Sequence, residues 1–131
     1  MNIFLWILQI RLGLYFFAIG IMHFIIPPGL PSAMAWMYEL SPSLHYISGI
    51  AEILGGLGLI LPAVTRIQTR LVPLAALGLS LVMVGAIVYH ATRGEFQNIG
   101  FNVLLLAATA FVAYGRWKLV PQEDRSQAVE A

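Results

Sequence analysis

Glu52 is the residue whose type and position most need explaining. It stands inside the apolar run Ser48-Gly49-Ile50-Ala51-Glu52-Ile53-Leu54-Gly55-Gly56-Leu57-Gly58. A charge at the centre of a membrane helix costs about 2.5–3.5 kcal/mol on insertion scales unless the protein meets it. Arg11 is the other permanent charge inside a long apolar segment, and a guanidinium offers a carboxylate two parallel N–H donors. Counting 1.5 Å per residue from the expected helix ends puts Arg11 about 12 Å deep and Glu52 about 13.5 Å deep. An intramembrane Arg11–Glu52 pair is therefore expected. Such a pair could fix helix packing without doing chemistry, or it could form part of a working site.

His45, Ser48, Glu52 and Gly55 recur at spacings of three and four, so they share one helical face. His23 lies near the end of the first apolar segment and His90 near the end of the third, which brings both imidazoles to one side of an up-and-down bundle. In the fourth segment Asn98 and Asn102 are one turn apart, and Thr109, Ala113 and Arg116 continue the stripe. The expected result is a cavity holding His23, His90, Asn102 and Ser48, with Glu52 and Arg11 as its floor. Glu52, His23 and His90 are the candidate catalytic groups, because histidine and a buried carboxyl can exchange protons near neutrality. Arg11, Ser48 and Asn102 are the candidate ligand-binding groups. Each histidine taken alone could instead be an interfacial side chain satisfied by a carbonyl or water.

No H-x-x-H, E-x-x-H or H-E-x-x-H pair occurs, so no metal site is expected. There is no phosphate-binding glycine loop after a strand and no serine nucleophile elbow. The absence of cysteine excludes a disulfide, a thiolate metal site and a dithiol electron relay within the chain.

The elements that must position these residues follow from composition and punctuation. With 60% hydrophobic and 10% charged residues, the 131-residue chain lacks the polar surface of a small soluble domain. Its net charge of +1 gives no reason to expect a nucleic-acid partner. Helices are expected at about 3–26, 42–61, 70–91 and 98–117. Each is long enough to cross a hydrocarbon core of about 30 Å. The first carries no Lys or Arg before its apolar run and is read as a helix of the mature protein rather than a signal peptide. Pro27-Pro28-Gly29 ends it, and residues 30–41, with Trp36 and Tyr38, read as an interfacial segment with a short helix. Ser41 and Pro42 suit the cap and first position of the second helix, and Pro62 is expected to stop it. The fold class is all-α: a polytopic, antiparallel four-transmembrane-helix bundle, one domain over 1–121, followed by a mobile polar tail at 122–131. The loop charges, Arg66, Arg70, Arg116, Lys118 and Arg125 on one side against Arg93 on the other, put both termini in the cytoplasm.

Arg11-Leu12-Gly13 leads through Gly20-Ile21-Met22-His23-Phe24 into a proline loop, and Ser48-Gly49-Ile50-Ala51-Glu52 runs into Gly55-Gly56-Leu57-Gly58-Leu59-Ile60-Leu61-Pro62. With Gly85-Ala86-Ile87-Val88-Tyr89-His90 and the following Glu95, this arrangement resembles the DoxX and DoxX-like family of small four-helix membrane proteins over roughly Arg11 to Trp117. The resemblance implies a multi-pass protein of a bacterial cytoplasmic membrane, associated with membrane oxidoreductase systems coupled to quinone. Two expectations follow. One is a membrane subunit or small enzyme of a quinone-linked redox system, with quinone as ligand and electrons arriving from a membrane or redox protein partner. The other is a non-catalytic assembly subunit, docking a partner or forming a homo-oligomer within the lipid bilayer.

Overall fold

Four long helices form because four apolar runs are each bounded by proline, glycine or charge, and within a bilayer only a helix satisfies its own backbone. The computed structural model describes residues 1–126. Its long helices are α1 (Asn2–Met22), α3 (Pro42–Thr65), α4 (Leu71–Thr92) and α5 (Phe96–Tyr114), with a one-turn helix α2 (Trp36–Glu39) in the first connection. No strand occurs among the described residues. With the π-helical turn that follows α5, the four spans run 21, 24, 22 and 24 residues, long and apolar enough to cross a membrane. The protein is therefore an all-α bundle suited to a lipid bilayer.

Two boundaries differ from the sequence expectation. α1 ends at Met22 rather than at residue 26, because Pro27 disfavours helical geometry in the residue before it and the chain unwinds into a turn. α3 does not stop at Pro62 but continues through it to Thr65, where Arg66 closes it in the left-handed conformation at φ 58°. At the start of α3, Ser41 Oγ accepts the Leu44 backbone N–H at 3.4 Å, with Pro42 in the first turn.

α1 packs on α3, α3 on α4 and α4 on α5, while α5 meets α1 only lightly. The α1–α3 seam is a close approach of backbones: a Cβ on Gly56 would lie 2.6 Å from the Gly13 carbonyl oxygen, and one on Gly20 would lie 2.8 Å from the Ile53 nitrogen. Only glycine permits that spacing. Leu5, Leu12, Phe16, Leu59, Val72, Leu79 and Val112 fill the interior, whereas Ile3, Leu54, Leu81 and Leu104 point outward.

The two ends of the bundle differ in character. At the arginine end, where the termini and the α3–α4 turn lie, Arg116 is buried. It donates to Gln9 Oε1, to Asn2 Oδ1 at 2.8 Å and to the Val120 carbonyl at 3.0 Å. Gln9 in turn donates to the Leu59 carbonyl at 3.1 Å, so one network joins α1, α3 and the end of α5. The π turn Gly115–Leu119 brings Arg116 inward there, with Gly115 against Leu5. The expected mobile tail is corrected for its first residues. Thr69 Oγ1 shares its one proton between the Gln122 carbonyl at 2.7 Å and Asp124 Oδ1 at 2.6 Å, and the Arg125 N–H donates to the Arg66 carbonyl at 2.7 Å. The rest of the expected tail, 127–131, lies outside the described residues.

Candidate functional site

At the opposite, histidine end, the connection from α1 to α3 folds over the bundle as a roof. Tyr38 holds it in shape, its hydroxyl donating to the Pro27 carbonyl at 2.6 Å and accepting the Leu30 N–H at 3.1 Å. Met37 is fully buried beneath it. Trp36 reaches inward between two imidazoles, with ring centroids 6.1 Å from His23 and 5.4 Å from His90. Glu39 pairs with Arg93, fastening the roof to the α4–α5 turn. Arg93 also donates to Glu95 Oε1 at 2.9 Å, and His90 Nδ1 lies 3.1 Å from the same oxygen. Desolvation raises the affinity of Glu95 for a proton, but the hydrogen bonds from His90 and Arg93 outweigh it and hold the carboxyl below its ordinary range.

Beneath this roof is a cavity of about 270 Å³. Its lining includes His23, His90, Ser48, Asn102 and Glu52, five of the six site residues expected from the sequence, together with Tyr15 and Trp36. Helical spacing accounts for the grouping. On α5, Asn102, Leu105, Thr109 and Val112 form the buried stripe, which Arg116 continues in the π turn, with Ser80 on α4 joined to Thr109 at 2.8 Å below the cavity floor.

The sixth residue, Arg11, is not at the site, and the Arg11–Glu52 pair is not formed. Arg11 is exposed on the outward stripe of Ile3, Ile7, Leu14, Ile21 and Ile25, and no ion pair to it occurs among the described residues. Two features of the packing separate Arg11 from Glu52. Because α3 runs past Pro62, the helices are offset, and the contact of Gly13 with Ile60 and Gly56 puts Arg11 about two turns below Glu52. Arg11 is also rotated about 200° from Gly13, whose face meets α3.

Glu52 is paired instead with a histidine: His23 Nε2 lies 3.1 Å from Glu52 Oε2. The two side chains lean together because Cβ vectors tilt toward the N-terminus of each helix, and α1 and α3 are antiparallel. The contact is within ion-pair distance without the alignment of a hydrogen bond, and Oε2 receives no hydrogen bond among the described residues. On its other side, His23 Nδ1 lies 2.9 Å from Nδ1 of His45, also buried, in the first turn of α3. The three groups form a continuous line from the capped end of α3 to the cavity floor. If His23 presents Nε2–H to the carboxylate, its Nδ1 accepts from His45, and a proton entering at His45 can reach Glu52 by tautomer exchange. His45 falls on the Glu52 face by sequence spacing, but its bond to His23 depends on how the α1–α3 connection returns the chain, which spacing does not specify.

The remaining polar groups keep their capacity for a ligand. Among the described residues, neither the Ser48 hydroxyl nor the Asn102 amide hydrogen-bonds to protein, and His90 uses only Nδ1. A buried carboxyl beside a hydroxyl, an amide and an imidazole can bind a small molecule bearing carbonyl or hydroxyl oxygens and can exchange protons with it. No cluster of three or more metal-ligating side chains occurs among the described residues. A wider recess of about 440 Å³ at the arginine end is lined by Thr69, Arg70, Arg116 and the docked residues 121–124. Thr69 and Asp124 there are engaged in holding the tail.

No curated protein and no solved structure shows significant similarity to the chain. A family-wide sequence profile, described as the DoxX-like family, matches residues 7–127, a span that includes every element of the cavity and its roof. The chain belongs to the DoxX-like family of membrane proteins.

Proposed function

We propose that the protein is the membrane subunit, or a small enzyme, of a quinone-linked redox system, in which the cavity at the histidine end takes a quinone head group. The observation that supports this most is the line His45–His23–Glu52, which ends on a carboxyl inside a roofed cavity. Reduction of a quinone to a quinol takes two electrons and two protons. The chain offers proton-carrying side chains but no cysteine, so the electrons come from a partner redox protein. In this reading Asn102 and Ser48 donate to the carbonyl oxygens, His90 orients the ring, and Glu52 delivers a proton that His23 and His45 replenish. Exposed Arg66, Arg70, Lys118 and Arg125 at the arginine end support termini in the cytoplasm of a bacterial cell, with the cavity near the outer face of the cytoplasmic membrane.

The test is binding of decylubiquinone by purified protein in nanodiscs, followed by Trp36 fluorescence in a variant lacking Trp6 and Trp117. Saturable quenching that Asn102→Ala weakens by tenfold or more, about 1.4 kcal/mol, supports the reading. No saturable quenching in the protein with Asn102 intact removes it. The second reading, a non-catalytic assembly subunit, is favoured by one feature: Arg11 displayed on an apolar outer face, where a partner's carboxylate could meet it. Under that reading Arg11→Leu abolishes co-purification of a membrane partner while quinone binding is absent throughout.

A further inference from the structure

The cavity is closed above, sealed along one side and open on another. Above it lies the roof, with Trp36 between His23 and His90 and the Glu39–Arg93 pair holding it down. Along the α1–α3 side the backbones approach at two levels, Gly13 with Gly56 and Gly20 with Gly49 and Ile53, and the His23 and Phe24 side chains close over Gly49. The α3–α4 side is different. Toward the arginine end these helices are in contact, since a Cβ on Gly58 would lie 2.7 Å from Ala75 Cβ and one on Gly55 would lie 2.5 Å from Leu79. Toward the histidine end the cavity is lined from both helices, by Leu44, Ile47 and Ser48 on α3 and by Val82, Gly85 and Ala86 on α4, and a Cβ on Gly85 would meet nothing within 4 Å.

The residues that both line the cavity and are exposed to the outside lie on these two helices: Leu44 and Ile47 on α3, and Gly85 on α4. All three are apolar. At 1.5 Å per residue, Ile47 and Gly85 sit about 7–11 Å below the helix ends, within the hydrocarbon of one leaflet. A mouth at that depth opens on lipid chains, not on water. The enclosed volume of about 270 Å³ is slightly below the roughly 300–1,000 Å³ of sites that enclose whole drug-sized ligands, so it fits a ring-sized head without a long tail.

We infer that the cavity is loaded sideways from the bilayer through the gap between α3 and α4 bounded by Leu44, Ile47 and Gly85. Its ligand is a membrane-dissolved amphiphile whose compact polar head reaches Ser48, Asn102 and Glu52 while its apolar tail stays in the lipid. This rests on the cavity being a ligand site, as proposed above, but not on the ligand being a quinone.

The cysteine-free chain makes the route directly measurable. Ser48→Cys places a single thiol in the cavity, and Ser43→Cys places one on the exposed first turn of α3. Each variant, reconstituted in phosphatidylcholine vesicles, is treated with lipid-soluble N-cyclohexylmaleimide or with a charged, water-soluble methanethiosulfonate. The Ser43 variant should react with both reagents. The Ser48 variant should react with the maleimide but with the charged reagent at least about tenfold more slowly, and adding Gly85→Leu should slow the maleimide by about tenfold, a barrier increase of about 1.4 kcal/mol. Equal access of the charged reagent, indifference to Gly85→Leu, or reaction with neither reagent would each overturn the lateral route. Failure of decylubiquinone to bind alongside the expected labelling pattern would remove the quinone and leave the route standing.

Discussion

Gly56→Ala is the substitution whose consequence can be worked most fully from the packing. Its new Cβ would lie 2.6 Å from the Gly13 carbonyl oxygen, 2.8 Å from the Phe17 nitrogen and 3.2 Å from the Phe17 Cα. All three neighbours are backbone, so no rotamer change relieves the clash. Restoring ordinary contact at 3.4 Å requires α1 and α3 to part by about 0.8 Å, and overpacking of this kind costs about 1–3 kcal/mol. Alanine returns up to about 1 kcal/mol through its greater helix propensity, leaving a net loss of up to about 2 kcal/mol. Gly78→Ala is the matched control: it lies in α4 with nothing within 4 Å of the new Cβ, so only the propensity gain applies. Unfolding by sodium dodecyl sulfate titration, followed by circular dichroism, should show Gly56→Ala less stable and Gly78→Ala as stable as the parent or more so. Equal stability of the two variants would refute the claim that the α1–α3 seam is set by backbone contact. It would also weaken the account of why His23 lies against Glu52, since the same seam positions both.

Two further outcomes follow from single residues. Arg11→Leu should leave thermal stability and quinone binding unchanged, because Arg11 is exposed and outside the cavity, and should improve membrane insertion by about 3 kcal/mol on insertion scales. Loss of the folded state in a membrane-insertion and thermal-melt comparison would restore the Arg11–Glu52 pair. Asp124 is held below the ordinary carboxylate range, first by the Thr69 hydroxyl and then by the Thr69 N–H; desolvation opposes them, and Arg70 adds a lesser downward pull. A depressed carboxyl stabilises tail docking above its unfolded pKa of about 3.9, and that contribution is lost as pH falls through the folded value. Hydrogen exchange at the Thr69 amide should therefore accelerate in acid relative to the bundle core, and Asp124→Asn should abolish the difference.

The bundle was legible because apolar runs of spanning length, separated by proline and charge, admit one topology. That topology fixes which helix ends share a side. His23, His90, Ser48, Asn102 and Glu52 were grouped by this reasoning, since up-and-down connectivity and a 3.6-residue period together specify end and face. Arg11 does not meet Glu52 because α3 runs past Pro62 to Thr65, which puts Glu52 deeper than a stop at Pro62 implies. A proline inside a membrane helix is tolerated when its neighbours absorb the lost hydrogen bond, so proline is weaker punctuation there than in water. Trp36 and His45 show a different limit. Trp36 reads as an interfacial aromatic, and its position between two imidazoles follows from the path of residues 27–41. The His45–His23 contact likewise depends on that path, and a loop's route is set by tertiary packing that local periodicity does not encode.

Native mass spectrometry of the protein, extracted gently from its own membrane, reads bound small molecules and co-purifying subunits together. A quinone mass should appear on the protein and be lost in Asn102→Ala and in Ser48→Ala while the variant protein remains folded and inserted. A stable protein partner with no small ligand, or a quinone mass indifferent to both substitutions, would contradict the quinone reading.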